Sequence, residues 1–246
     1  IALIGAIVSG LVGIYIFNID IYGAFGQIGF SKDMSRIVGV LRDCFPLFVG
    51  MFLWTYLLSA SRIAVDNVMS STYQSYYQVL FLPVSVINLF AGFLIRPSLI
   101  QLTKLCAENK MREFWEIIRR ISLYLIIFTV ICMGGAYVLG IPVLNILTGC
   151  DLAEYRVLFV FLIFAGGFNA IAYLFYFILT IFRSQIGIIG GYSIASLFAL
   201  FTANYMTERW GLWGAASNYM CSVVILTIVF AVCLQYYSCS KTKSTL

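Results

Sequence analysis

Apolar runs recur down this chain at lengths that water-soluble folds rarely tolerate. Seven stretches, 1–17, 45–65, 75–96, 121–140, 156–182, 185–205 and 211–236, are apolar and nearly free of charge. Each is close to or above the roughly 20 residues that carry a helix across a bilayer. A backbone in hydrocarbon has no water to bond, so helices and closed barrels are the structures that span it. Runs this long read as helices. Composition agrees, with 62% of residues hydrophobic and 10% charged, where soluble domains run nearer about 45–50% and about 25%. The expected fold class is an all-α polytopic membrane protein with seven transmembrane helices.

The basic residues give this bundle a direction. Twelve of the fifteen Lys and Arg fall in 18–44, in 97–120, in the tail, or at the helix ends on that same side; Arg62, Arg156 and Arg209 fall on the other. Cytoplasmic loops carry the excess of Lys and Arg. The bias places 18–44, 97–120 and the C-terminus in the cytoplasm of a multi-pass protein, so the first helix begins outside. The chain opens at Ile1, inside an apolar run with no charged segment before it, and is read as the C-terminal piece of a longer protein with its first helix clipped. Seven cysteines show no disulfide or metal spacing, and histidine is absent. No metal site and no cofactor are expected.

The connections are short or amphipathic. In 18–44, the stretch SKDMSRIVGVLRD puts Ile37, Val40 and Leu41 on one helical face, which reads as a helix on the inner membrane surface. Pro46 then falls in the first turn of the next span, where proline is tolerated. In QLTKLCAENKMREFWEIIRR, Phe114, Ile117, Ile118 and Ile121 share an apolar face, while Glu108, Arg112, Glu116 and Arg120 form an i, i+4 ladder of alternating sign. This reads as an interfacial helix leading into the next span. The outer connections are 66–74, 141–155 and 206–210. Ser70 or Ser71 is expected to cap the helix after the first of them, and IPVLNILTGCDLAEY is expected to form a re-entrant or capping turn. Gly187, Gly191, Ala195, Ala199 and Ala203 recur every fourth residue, a spacing that admits a close helix partner. The pairs Gly134–Gly135, Gly166–Gly167 and Gly190–Gly191 are packing or bending points.

Few polar side chains interrupt the spans, and the candidate site residues come from among them. Arg62 and Asp66 lie one turn apart near the outer end of a helix. They form either an interfacial salt bridge or a charged patch facing a water-filled cavity. Arg96 and Arg183 end their spans on the cytoplasmic side, as membrane anchors or as a cationic mouth for an anionic substrate. Asn88 and Asn169 sit mid-span, either bonding between helices or lining a path for hydroxyl-rich ligands. No phosphate-binding glycine loop, zinc-protease motif or nucleophile elbow occurs, so no enzyme activity is expected.

Five segments together resemble a known family. They are CFPLFVGMFLWTYLLSASRIAVDNVMSSTYQSYY, LPVSVINLFAGFLIRPSL, LGIPVLNILTGCDLAEYR, GGFNAIAYLFYFILTIFRSQ and WGLWGAASNYMCS. In order and spacing they resemble the C-terminal half of bacterial polysaccharide biosynthesis flippases, the O-antigen or teichoic-acid type of the MOP exporter superfamily. The resemblance implies a twelve-helix, two-lobed transporter, of which the seven spans form the C-terminal part. Residues 1–17 would be the last helix of the N-terminal half, 18–44 a cytoplasmic linker, 45–236 a six-helix lobe and 237–246 a cytoplasmic tail. It implies passage of an undecaprenyl-pyrophosphate-linked oligosaccharide from the inner to the outer leaflet of the bacterial cell membrane. The partners implied are that lipid-linked glycan, membrane lipids and the N-terminal half of the same protein, with no nucleic acid. The family's basic-aromatic-x-x-acid pattern reads Arg62-Ile63-Ala64-Val65-Asp66 here, with the aromatic lost. Two other readings are a cation-coupled multidrug exporter, for which Asp66 is the one candidate acid, and a membrane polysaccharide polymerase or ligase, which the short outer loops disfavour. A structural or assembly subunit is compatible with composition alone.

Overall fold

Apolar positions three and four apart set the architecture, because each stripe must find a neighbouring helix. The computed structural model describes residues 34–108, 110–148 and 153–243, and no strand occurs among the described residues. Helix α1 (Met34–Val68) is followed by α2 (Ser71–Leu80), α3 (Leu82–Ala107) and α4 (Met111–Gly135). A π turn (Ala136–Gly140) leads to α5 (Ile141–Thr148), and a 3-10 turn (Ala153–Tyr155) leads to α6 (Arg156–Ile181) and α7 (Gln185–Lys243). Five helical stretches are long and apolar enough to cross a membrane: Phe48–Val68, Ser71–Ala107, Met111–Gly140, Arg156–Ile181 and Gln185–Tyr236. The expected span 1–17, most of the linker, and Cys150 lie outside the described residues. The contacts below belong to the compact unit Cys44–Leu246.

The fifth stretch is 52 residues long, about 78 Å if straight, against a hydrocarbon core of about 30 Å. It folds back on itself at Gly211, whose φ of 56° and ψ of −135° are not helical; positive φ costs glycine little because it has no Cβ. The two arms run antiparallel. Gly191 faces the Phe230 ring, Gly187 faces Cys233, and Asn218 Nδ2 donates to Thr202 Oγ1 at 2.7 Å. A Cβ at Gly214 would land on the Met206 carbonyl, so the bend closes tightly. The expected outer connection 206–210 is therefore helix, and the turn is made at Gly211 alone. The stripe of small residues, with Ala195, Ala199 and Ala203 buried, is where the chain's own return arm packs.

Helix α6 is the centre of the bundle and packs on α3, α4 and α7. In its most apolar window 61% of residues are buried, against 22% for α4, which turns Tyr124, Ile127 and Ile131 outward. Two adjacent glycines let α6 approach two neighbours at once: Gly166 lies against Val84 of α3 and Gly167 against Thr129 of α4. Gly134, Gly135 and Gly190 have no heavy atom within 4 Å of the position a Cβ would take, so they are not contact points. Between helices in hydrocarbon, close van der Waals packing of this kind replaces the hydrophobic drive of soluble cores.

Several local expectations change. Pro46 lies well inside α1, which starts at Met34, rather than in a first turn. Residues 97–107 continue α3 through Pro97 instead of forming loop. Residues 141–148 are a short helix rather than a turn, and residues 237–243 of the expected tail extend α7. Ser70 does occupy the cap position of α2, but its side chain makes no capping bond; its carbonyl accepts from Tyr73 and Gln74. Phe114, Ile118 and Ile121 are buried as the sequence pattern requires. The charge ladder closes at one rung, Arg112 to Glu116 at 3.7 Å. Glu108 lies before α4 begins, out of its helical register, and pairs instead with Lys110 at 2.7 Å. The hydrogen bond from Lys110 to Glu108, with the acid's charge, raises that ammonium above the usual lysine range.

Candidate functional site

Two helices carry matching polar stripes. On α3, Asn88, Gly92 and Arg96 are spaced by four; on α6, Asn169, Tyr173, Tyr176 and Thr180 follow at helical spacing. The stripes meet at the middle of the bundle, where Asn169 Nδ2 donates to Asn88 Oδ1 at 2.8 Å. Asn169 is fully buried and its own Oδ1 has no partner. This bond takes up the Asn88 oxygen and leaves its NH2 group uncommitted. Asn88, Gly92, Arg96, Pro97 and Tyr173 line one wall-to-wall cavity of about 210 Å³.

A second cavity of about 370 Å³ adjoins it along α6, lined by Gly50, Met51, Tyr176, Thr180, Arg183, Gln185, Ile188, Ile189 and Tyr192. Stacked Tyr173 and Tyr176, with centroids 6.3 Å apart, link the two cavities. Trp54 of α1 stacks on Tyr173 at 6.1 Å and meets Tyr192 of α7 edge-on at 5.7 Å. Four aromatic rings from three helices thus form a continuous tract, and a guanidinium lies at each cavity, Arg96 at one and Arg183 at the other. Both arginines are exposed. Among the described residues neither forms an ion pair or hydrogen bond through its side chain. Of six expected site residues, the fold therefore brings Asn88, Asn169, Arg96 and Arg183 to one tract.

No protein-family model, curated protein or solved structure matches this chain.

Arg62 and Asp66 lie elsewhere, and they are not paired with each other. Arg62 donates from Nη2 to the Leu58 carbonyl at 3.3 Å and lies over the Phe81 ring, 4.9 Å from its centroid. Asp66 is exposed and no ion pair joins it to Arg62. The arginine runs back along its own helix, so the turn of separation that would have joined the charges divides them. Around Phe81 the chain gathers a closed polar knot. Tyr77 and Tyr219 rings lie 6.0 and 5.0 Å from the Phe81 ring. The hydroxyls of Ser61, Tyr77 and Tyr219 and the Nε of Arg62 are all buried without a hydrogen-bond partner. The Ser61 and Tyr77 hydroxyls are near neighbours, close enough to interact but outside good hydrogen-bond geometry.

The sequence reading missed Trp54, Tyr173, Tyr176, Tyr192, Tyr77 and Tyr219. The signal for two of these was present: Tyr173 and Tyr176 share a face with Asn169 and Thr180. The others join through tertiary contact. Chemically, the tract offers cations and amide N–H groups for oxyanions and hydroxyls, and flat rings for stacking. No group of three or more His, Cys, Asp or Glu converges among the described residues.

Proposed function

We propose that this chain is the C-terminal part of a MOP-type flippase that moves an undecaprenyl-pyrophosphate-linked oligosaccharide from the inner to the outer leaflet for export of cell-surface polysaccharide. In this reading residues 45–236 form a six-helix lobe, with the two arms of α7 as separate crossings. The face bearing the tract turns toward the N-terminal half. The observation that carries the reading is the tract itself: two uncommitted guanidinium groups, an amide pair and four aromatic rings in continuous array. An anionic, hydroxyl-rich and extended ligand complements that array. Cations attract the pyrophosphate, rings stack against sugar faces, and the prenyl chain stays in lipid. Transport by this route needs no covalent step, only two lobes that alternate access to the site.

The multidrug-exporter reading depends on Asp66, which is exposed and lines neither cavity. The flippase reading is tested by Arg96→Ala and Tyr173→Ala in the full-length protein. Each is expected to lower surface polysaccharide several-fold at unchanged protein level in the membrane. Undiminished polysaccharide in both variants sinks the assignment of the tract as the substrate path.

A further inference from the structure

The connection between α6 and α7 places an arginine where the backbone favours glycine. The helix closes with Ser184 N–H donating to the Leu179 carbonyl and Arg183 N–H to the Thr180 carbonyl, both at 3.0 Å. In this bond pattern the residue at the Arg183 position is left-handed and is most often glycine. Arg183 takes φ 57° and is the single non-glycine residue with positive φ among the described residues. Among the described residues its guanidinium has no counter-charge, and it borders the 370 Å³ cavity, a volume within the range of about 300–1,000 Å³ typical of ligand sites.

The rest of the lining specifies what the cation meets. Among the described residues no acidic side chain lines the cavity. Gln185, Tyr176 and Thr180 contribute an amide and two hydroxyls to the same lining, whereas Met51, Ile188, Ile189 and the ring of Tyr192 contribute apolar surface. A free cation beside neutral donors selects an oxyanion, and the apolar wall selects a ligand with a hydrocarbon part. We propose that this cavity binds the phosphate headgroup of a membrane amphiphile, with Arg183 as the principal contact and the hydrocarbon chain leaving along Ile188, Ile189 and Met51. The site holds for a resident lipid and for a carried one. It is read out by binding, so it can fail while the export test above succeeds, and the reverse.

The test uses purified full-length protein in neutral detergent, with dioctanoyl phosphatidic acid, dioctanoylglycerol and inorganic phosphate as probes in calorimetric titrations. Phosphatidic acid is expected to bind, and the other two to bind at least about tenfold more weakly, since each lacks one half of the recognition. Arg183→Gly is expected to weaken phosphatidic acid binding by about tenfold or more while the melting temperature holds or rises, because glycine relieves the backbone. Arg183→Lys is expected to keep part of the binding. Equal binding by the glycine variant, or a lowered melting temperature in it, overturns the assignment of Arg183 as a ligand contact. Equal binding of dioctanoylglycerol reduces the cavity to an apolar groove, and equal binding of inorganic phosphate removes the amphiphile; either result refutes the proposal.

Discussion

Arg62 lies in the last turns of α1 with a ring and a carbonyl in place of a counter-ion. A guanidinium over an aromatic face is attracted by the ring's quadrupole, by about 0.5–2 kcal/mol depending on exposure. Its neighbours are less well served, because a buried hydroxyl without a partner costs about 1–3 kcal/mol. Tyr77→Phe and Tyr219→Phe, each removing one such hydroxyl while keeping the ring, are expected to raise the melting temperature of the purified protein. Ser61→Ala combined with Tyr77→Phe should add to that gain; a fall in melting temperature in all of them would show that the hydroxyls are bonded. Asn169→Ala points the other way and is expected to lower stability by about 1 kcal/mol, since it removes the one bond between polar side chains of α3 and α6. Arg62 was visible in the sequence as an isolated charge. Its surroundings were not, because Phe81, Tyr77 and Tyr219 come from α2, its junction with α3, and the far arm of α7, and i, i+4 spacing pointed only to Asp66.

Among the elements, α7 separates what periodicity reveals from what it conceals. The stripe from Gly187 to Ala203 announced a close helix partner, and the partner is the arm after Gly211. A short polar connection was expected at 206–210, yet these residues stay helical because one glycine absorbs the whole reversal. The arrangement can be checked chemically. A Cβ at position 187 would lie 3.5 Å from the Cys233 Cβ, inside the usual span of a disulfide. Gly187→Cys in a background lacking the other cysteines is therefore expected to cross-link to Cys233 on mild oxidation, read as a shift in gel mobility after cleavage between the arms. The neighbouring glycines give a matched pair. Gly190→Ala should be neutral or slightly stabilising, by up to about 1 kcal/mol. Gly191→Ala should destabilise by about 1–3 kcal/mol, because the Phe230 ring already occupies the space.

At the scale of the molecule, the tract joins residues as far apart in sequence as Gly50 and Tyr192, so no window of sequence displays it. Its polar members were legible as rare groups inside apolar spans. Its aromatic members were not, since 17% of this chain is aromatic and only packing distinguishes a ring that lines a cavity from one that faces lipid. Trp54→Leu keeps an apolar side chain at the junction of α1, α6 and α7 while removing its stacking surface. It is expected to reduce polysaccharide export more than it reduces melting temperature, measured on the same full-length protein. The reversal at Gly211 also bears on how the chain is made. Residues 185–210 emerge from the ribosome with their glycine and alanine face bare, and the surface that covers it is synthesised after them. Until that arm follows, the stripe stands without its partner, and the tip between the arms carries Glu208 and Arg209, whose formal charges cancel.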